Sequence, residues 1–223
     1  MLPPIPLKEA GENMNLGTSA FILSIVVSAV VAIITDSRNQ KFLAYFFRPF
    51  TIMLMIGLLI ETRPSSFYRN AIAVGLGLCL LGEAMMMLKK KRFLTGLAFF
   101  LGALAVFTVA FYSRVTREFL SWPVIPLVLL AAVVLFLTWP GTKRQRVPVL
   151  FYLLALLTMV RVGLEQPHQL AGTGPWLAAA GSLLFLVSDT LLALDRFWRP
   201  FRGAQIAILS TFYSGLLLIT LSV

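Results

Sequence analysis

Long apolar runs separated by short polar segments restrict the fold of this chain more than any other feature. Windows of about 19 residues predict eight transmembrane helices. The predicted spans are Leu16–Ile34, Phe42–Ile60, Ala71–Leu88, Phe93–Tyr112, Phe119–Thr138, Val147–Val160, Trp176–Leu194 and Ala204–Leu221. Hydrophobic residues make up 59% of the 223 residues and charged residues 13%. We therefore expect an all-α, polytopic membrane bundle that forms a single domain over residues 1–223.

The net charge of +10 lies mostly in the connections between the predicted helices. The first, third, fifth and seventh connections are the most basic. They carry Arg38, Lys41, Lys89–Arg92, Lys143, Arg144, Arg146, Arg196, Arg199 and Arg202. The positive-inside rule places these connections in the cytoplasm and both termini outside the inner (plasma) membrane. Because the bases lie between apolar runs instead of forming one basic face, we expect no nucleic-acid partner.

The residue types exclude several common chemistries. Cys79 and His168 are the single cysteine and the single histidine, so neither a disulfide framework nor a usual zinc site is expected. Gly75, Gly77 and Gly82 have the wrong spacing for a dinucleotide fingerprint, and close helix packing explains them better. We place His168 in an outer loop, where a histidine is normally solvated. The sequence predicts no cofactor.

Two acidic residues lie inside predicted spans, where a charge costs at least about 2.5–3.5 kcal/mol on insertion scales. Glu83 is in the third span and Asp189 in the seventh, each five residues before its predicted cytoplasmic end. At a rise of about 1.5 Å per residue, both carboxyl groups lie about 7–8 Å inside that boundary. Their equal depth predicts a shared polar pocket in the cytoplasmic half of the bundle.

Other polar side chains are predicted at the same side of the membrane. They are Arg48, Tyr152, Ser188, Thr211 and Tyr213. Two interpretations of this set stay open. Either the side chains line a functional pocket, or Arg48 and the hydroxyl groups neutralise the acids and hold the helices together. Tyr152 and Tyr213 fit hydrogen-bonded core positions as well as they fit a site.

The most specific motifs lie in the third, fourth, seventh and eighth spans. They are Gly75-Leu-Gly-Leu-Cys79-Leu-Leu-Gly82-Glu83, Phe93-x-x-Gly96-x-x-x-Phe100, Phe185-x-x-Ser188-Asp189 and Thr211-Phe212-Tyr213. Over residues 48–223 the chain resembles the YhhN family of integral membrane proteins, which includes the lysoplasmalogenases. The resemblance implies an eight-span bundle that hydrolyses the vinyl ether bond of a lysoplasmalogen. The products would be a fatty aldehyde and a glycerophospho-head group.

Two buried carboxyl groups fit this implied chemistry. Hydrolysis of a vinyl ether needs a proton delivered to carbon, stabilisation of an oxocarbenium ion, and water. Glu83 and Asp189 would act as the catalytic pair, one as general acid and the other as an ionised group that stabilises the cation and orients water. Which carboxyl has which role stays open. The candidate substrate-binding residues are Arg48, Tyr152, Ser188 and Tyr213; Arg48 would contact the phosphate or hold a carboxylate.

The chain also departs from the family pattern. Glu83 stands where the resemblance implies aspartate, and Leu104, Phe107 and Leu216 stand where it implies histidine, tyrosine and glutamine. Either the substrate differs or the activity is lost. The alternative function is a non-catalytic lipid-binding or lipid-transport protein that uses the same cavity, and a purely structural membrane protein is the third possibility.

Overall fold

The computed structural model describes residues 7–38, 40–62, 64–88, 93–115, 124–142 and 145–223, with the backbone alone for residues 7–16, 62 and 88. These residues form α-helices and no strand. The helices are α1 (Leu7–Ser37), α2 (Lys41–Thr62), α3 (Phe67–Leu88), α4 (Phe93–Tyr112), α5 (Val124–Thr142), α6 (Arg146–Gln169), α7 (Gly174–Phe197) and α8 (Ala204–Leu221). All eight contain a stretch long and apolar enough to cross a membrane. The predicted all-α membrane fold is confirmed.

Hydropathy predicts the bounds of α4 and α8 correctly and those of α6 poorly. The predicted end of the sixth span is Val160, whereas α6 continues to Gln169. The continuation contains Glu165 and Gln166, which are 5% and 0% exposed. Because neighbouring helices bury these polar side chains, the fall in hydropathy does not end the helix. His168, which we expected in a loop, lies in the last turn of α6 and is exposed.

Some predictions fall outside the described residues. The basic run Lys89–Arg92, the bases Lys143 and Arg144, and residues 119–123 of the predicted fifth span belong to this group. The described part of the fifth helix begins at Val124.

Small residues bring neighbouring helices into close contact. A Cβ atom at Gly82 of α3 would lie 2.8 Å from the ring of Phe100 in α4, and Gly75 faces Phe107 in the same way. Gly77, in contrast, has no atom of another helix within 4 Å of the position of a Cβ. Close helix packing therefore explains Gly75 and Gly82, as predicted, but not Gly77.

Aromatic side chains join α4, α7 and α8 in the core. Phe212 of α8 contacts Phe100 of α4 and Phe185 of α7 edge to face, with ring centroids 5.7 and 5.6 Å apart. Phe185 also meets Phe107, at 6.5 Å between centroids. Each such pair contributes about 0.5–1.5 kcal/mol beyond its burial. These contacts fix the helices that form the walls of the candidate site.

Candidate active site

A cavity of about 370 Å³ lies at the end of the bundle where α1 meets α2, α3 meets α4, and α7 meets α8. Helices α2, α3, α4, α6, α7 and α8 all contribute to its wall. The polar lining consists of Arg48, Glu83, Tyr152, Ser188, Asp189, Asp195, Arg196 and Gln205. Glu83 and Asp189, which we placed at equal depth from the sequence, thus line the same cavity. The rest of the wall is largely apolar.

Arg48 joins three helices through two ion pairs. Its Nε donates to Oε1 of Glu83 in α3 at 2.6 Å, and its Nη1 donates to Oδ1 of Asp36 in α1 at 3.0 Å. The side chains of Arg48 and Glu83 are 11% and 5% exposed. Carboxylates therefore occupy two of the three guanidinium nitrogens. Of the two roles considered for Arg48, the structure places it in contact with carboxylates.

Asp189 has a different environment from Glu83. The Tyr152 hydroxyl of α6 donates to Oδ2 of Asp189 in α7 at 2.6 Å. Among the described residues, no cationic side chain forms an ion pair with Asp189. One acid of the cavity therefore faces a positive charge, and the other faces a neutral hydroxyl group in apolar surroundings.

The remaining predicted site residues divide into two groups. Ser188 lines the cavity, but its Oγ donates to the carbonyl oxygen of Ile208 in α8 at 3.0 Å, so it joins two helices. Tyr213 is not among the cavity residues. It is 3% exposed and lies behind Arg48, whose carbonyl oxygen is 3.5 Å from the Tyr213 hydroxyl. The Thr211 hydroxyl donates within its own helix, to the carbonyl oxygen of Ala207 at 2.7 Å.

Sequence reasoning missed residues at the edge of this site. Asp36, which pairs with Arg48, follows directly after the first apolar run. An acid at the cytoplasmic end of a predicted span, at the same side as Arg48, was the available sign of this ion pair. Arg196 lines the cavity, although we counted it as a loop charge. Its spacing of seven residues from Asp189 corresponds to about two helical turns, and this spacing places both residues on one face of α7.

The three positions where the resemblance implies polar groups are apolar and lie in the core. Leu104, Phe107 and Leu216 are each 0% exposed, and none of them lines the cavity. Cys79 is also fully buried. Among the described residues, no three His, Cys, Asp or Glu side chains cluster as a metal ion would require.

The model of the YhhN family matches residues 43–223. This chain belongs to the YhhN family. The YhhN relative from Escherichia coli O157:H7, named as an uncharacterized membrane protein, is 29% identical over 206 residues, or 90% of this chain and 96% of the relative. A human relative named lysoplasmalogenase TMEM86B is 30% identical over 206 residues, or 92% of this chain and 84% of the relative. No solved structure matches this YhhN protein significantly.

Proposed function

We propose that this protein is a membrane hydrolase that cleaves the vinyl ether bond of a lysoplasmalogen or a related lysophospholipid. The observation that carries the proposal is the pair of carboxyl groups, Glu83 and Asp189, on the wall of one cavity in a membrane-spanning bundle. Similarity to the human protein named lysoplasmalogenase TMEM86B supports the same chemistry. The products are a fatty aldehyde and a glycerophospho-head group.

The cavity suits a small amphipathic substrate. Its volume of about 370 Å³ lies within the range of typical small-molecule sites. Leu97, Phe100, Leu209 and Phe212 form apolar wall that can pack against the alkenyl chain. The polar atoms of the site are few and are held by neighbouring helices, as expected of a site that orients its ligand.

The different environments of the two acids assign their roles. The guanidinium of Arg48 compensates the charge of Glu83 at 2.6 Å, so we assign Glu83 as the ionised group. Asp189 has the Tyr152 hydroxyl as its hydrogen-bond partner, and an uncompensated negative charge is costly in apolar surroundings. We therefore assign Asp189 as the general acid that carries the proton.

The reaction then proceeds in three steps. Asp189 gives its proton to the alkenyl carbon that is not bonded to oxygen, and the other carbon becomes part of an oxocarbenium ion. The carboxylate of Glu83 stabilises this cation and orients a water molecule. Water adds to the cationic carbon and returns a proton to Asp189, and the resulting hemiacetal breaks down to the aldehyde and the free glycerol hydroxyl group.

Hydrolysis in heavy water tests this proposal. Purified wild-type protein in a phosphate-free detergent is incubated with lysoplasmalogen in D₂O, and the aldehyde is reduced at once to the alcohol to prevent exchange. We expect one deuterium on the carbon next to the former carbonyl group, because that carbon receives the catalytic proton. A lysophospholipid with an ester in place of the vinyl ether should remain intact. The proposal fails if a folded sample releases no aldehyde.

A second candidate is a non-catalytic lipid-binding or lipid-transport protein that uses the same cavity. The observation that favours it is the fully buried apolar character of Leu104, Phe107 and Leu216. This function predicts that lysophospholipid co-purifies with the protein or crosses vesicle membranes while no aldehyde forms. Product formation in the heavy-water assay would exclude it.

We also propose that the protein resides in the inner (plasma) membrane with the cavity on the cytoplasmic side and both termini outside. The connections at the cavity end carry the bases Arg38, Lys41, Arg199 and Arg202, which supports this orientation. Fusions at the C-terminus test it. We expect activity from alkaline phosphatase, which functions outside the cytoplasm, and no fluorescence from green fluorescent protein. The opposite pattern would reverse the orientation.

A further inference from the structure

We infer that Arg196 binds the phosphate of the lipid head group at the edge of the cavity. The identity of the lipid rests on the proposed function, whereas the choice of the residue rests on the charges and the geometry at the end of α7. The shared ligand chemistry is a phosphate group, and we assign the lipid as its source.

The other cation of the cavity is already neutralised. Arg48 pairs with Glu83 at 2.6 Å and with Asp36 at 3.0 Å, and all three side chains are largely buried. This group of one base and two acids has a net negative charge when all three are ionised. A phosphate placed beside it would meet repulsion, so Arg48 is a poor phosphate ligand.

Arg196, unlike Arg48, is not neutralised by an ion pair with a described acid. It is exposed, it lines the cavity, and it forms no ion pair among the described residues. Asp195 is its neighbour on the cavity wall, but Oδ1 of Asp195 accepts a hydrogen bond from the backbone N–H of Phe201 at 3.3 Å. The carboxylate of Asp195 is thus held in the turn between α7 and α8.

The guanidinium of Arg196 also lies against an aromatic ring of the cavity wall. Its Cζ lies 3.6 Å from the centroid of the Phe93 ring, and Phe93 is itself part of the cavity wall. Phe93 is in turn held edge to face by Phe197, with centroids 6.0 Å apart. A guanidinium is planar and presents its N–H groups in that plane, where they can bind two phosphate oxygens. The Gln205 side chain lines the same region.

The spacing along α7 matches the substrate. Arg196 follows Asp189 by seven residues, which is about 10 Å along the helix axis on the same face. Long side chains of a helix lean toward its N-terminus, and Asp189 lies in that direction from Arg196. In a lysoplasmalogen the phosphorus and the vinyl ether oxygen are about five bonds apart, or roughly 6 Å. A phosphate at Arg196 therefore places the vinyl ether near the two acids.

Kinetics on two substrates test this inference. One is a lysoplasmalogen, and the other is the corresponding 1-alkenylglycerol, which has the same vinyl ether but no phosphate. We expect Arg196→Gln to lower kcat/KM for the lysoplasmalogen about 10- to 100-fold, mainly through KM, because a charge-assisted hydrogen bond is lost. Its kcat/KM for the alkenylglycerol should match that of the wild type. Arg196→Lys should recover part of the loss, since it restores the charge without the planar fork.

Arg199→Gln is the matched control. Arg199 is exposed three residues further along, its Cζ lies 5.8 Å from the Trp198 ring, and it does not line the cavity. This variant should retain wild-type kcat/KM for both substrates. An equal loss on both substrates in Arg196→Gln would mean a structural role, and no loss on either would exclude Arg196 as a ligand. Each result would overturn the inference.

A binding assay separates this inference from the proposed reaction. The thermal melt of detergent-purified protein is recorded with a lysophospholipid, with a monoacylglycerol, and with inorganic phosphate alone. We expect stabilisation by the lysophospholipid that Arg196→Gln removes and Arg199→Gln retains, even if the protein were to hydrolyse nothing. Equal stabilisation by monoacylglycerol would overturn the phosphate contact. Equal stabilisation by inorganic phosphate would overturn the assignment of a lipid as its source.

Discussion

The two ends of the bundle contain similar polar side chains that are arranged differently. At the cavity end (Arg48, Glu83 and Asp189), acids line an open volume of about 370 Å³. At the packed end (Tyr68, Arg114 and Ser222), the side chains close on one another. The hydroxyl groups of Tyr68 and Ser222 share a hydrogen bond of 2.7 Å, and the guanidinium of Arg114 lies 4.4 Å from the Tyr68 ring centroid.

Both ends contain a buried acid within a membrane span, and the surroundings of the two acids differ. Over the whole residue, Glu165 near the packed end is 5% exposed and Glu83 is 4% exposed. However, Oε1 of Glu165 accepts a hydrogen bond from Gln169 one turn away at 3.0 Å. The packing is also tight nearby, since a Cβ atom at Gly163 would lie 2.7 Å from Oγ of Ser182. Glu83, in contrast, lines the cavity of about 370 Å³.

The largest expected difference between the ends is in the activity of acid-to-amide variants. We expect Glu83→Gln to lower the rate of aldehyde release about 1,000-fold, because the oxocarbenium ion loses its anionic partner. Glu165→Gln is the matched control and should retain at least half of the wild-type rate. If both variants lost activity equally while remaining folded, the contrast between the two ends would have no functional meaning.

The second prediction compares how much the arginine at each end, Arg48 or Arg114, contributes to stability. Arg48→Leu leaves two buried carboxylates without their cation, and we expect a loss of about 3 kcal/mol in the free energy of unfolding. Arg114→Leu removes a cation–π contact and a hydrogen bond of 3.3 Å to the carbonyl oxygen of Ser222, so about 1 kcal/mol is expected. Thermal melts in detergent measure both variants. A smaller loss for Arg48→Leu than for Arg114→Leu would contradict this account.

The close contact of α7 with α8, which lies between the two ends of the bundle, provides a third test. A Cβ atom at Gly181 of α7 would lie 2.8 Å from the carbonyl oxygen of Gly215 in α8. We expect Gly181→Ala to destabilise the protein by about 2 kcal/mol, because two backbones must separate. Gly77→Ala adds the same methyl group where no atom of another helix lies within 4 Å and should not lower the melting temperature. Equal melting temperatures for the two variants would refute the close α7–α8 contact.

The smallest expected effect concerns the two hydrogen-bonded tyrosines. Tyr152→Phe removes the 2.6 Å hydrogen bond to Asp189. We expect the rate of aldehyde release to fall about 5-fold, as the loss of one hydrogen bond of about 1 kcal/mol implies. Tyr68→Phe removes the 2.7 Å hydrogen bond to Ser222 and should leave the rate unchanged. A rate effect only in Tyr68→Phe would reverse the assignment of the two ends.

Much of the fold follows from hydropathy alone, and the end of α6 shows where hydropathy is not sufficient. Apolar runs predict where helices lie because a helix in lipid must present apolar side chains to its surroundings. The end of α6 is different, because Glu165 and Gln166 lie among other helices and out of contact with solvent. Hydropathy depends only on the residue type, so the prediction from hydropathy ended the sixth span too early.

Less of the candidate site follows from the sequence. Depth along each helix correctly suggested that Glu83 and Asp189 face a common region. The partners depend instead on how each helix is rotated, and no single-helix pattern specifies that Arg48 pairs with Glu83 and Asp36 while Tyr152 pairs with Asp189. For the same reason Tyr213, at a suitable depth, lies behind Arg48 and outside the cavity lining.

The most direct test of the central claim is the rate of aldehyde release from a lysoplasmalogen by the wild type and by Asp189→Asn. Thermal melts of both proteins establish that they are folded. We predict activity in the wild type and a loss of at least about 1,000-fold in Asp189→Asn, since the amide carries no proton to donate. A folded Asp189→Asn variant that keeps more than a tenth of the wild-type rate would contradict the account.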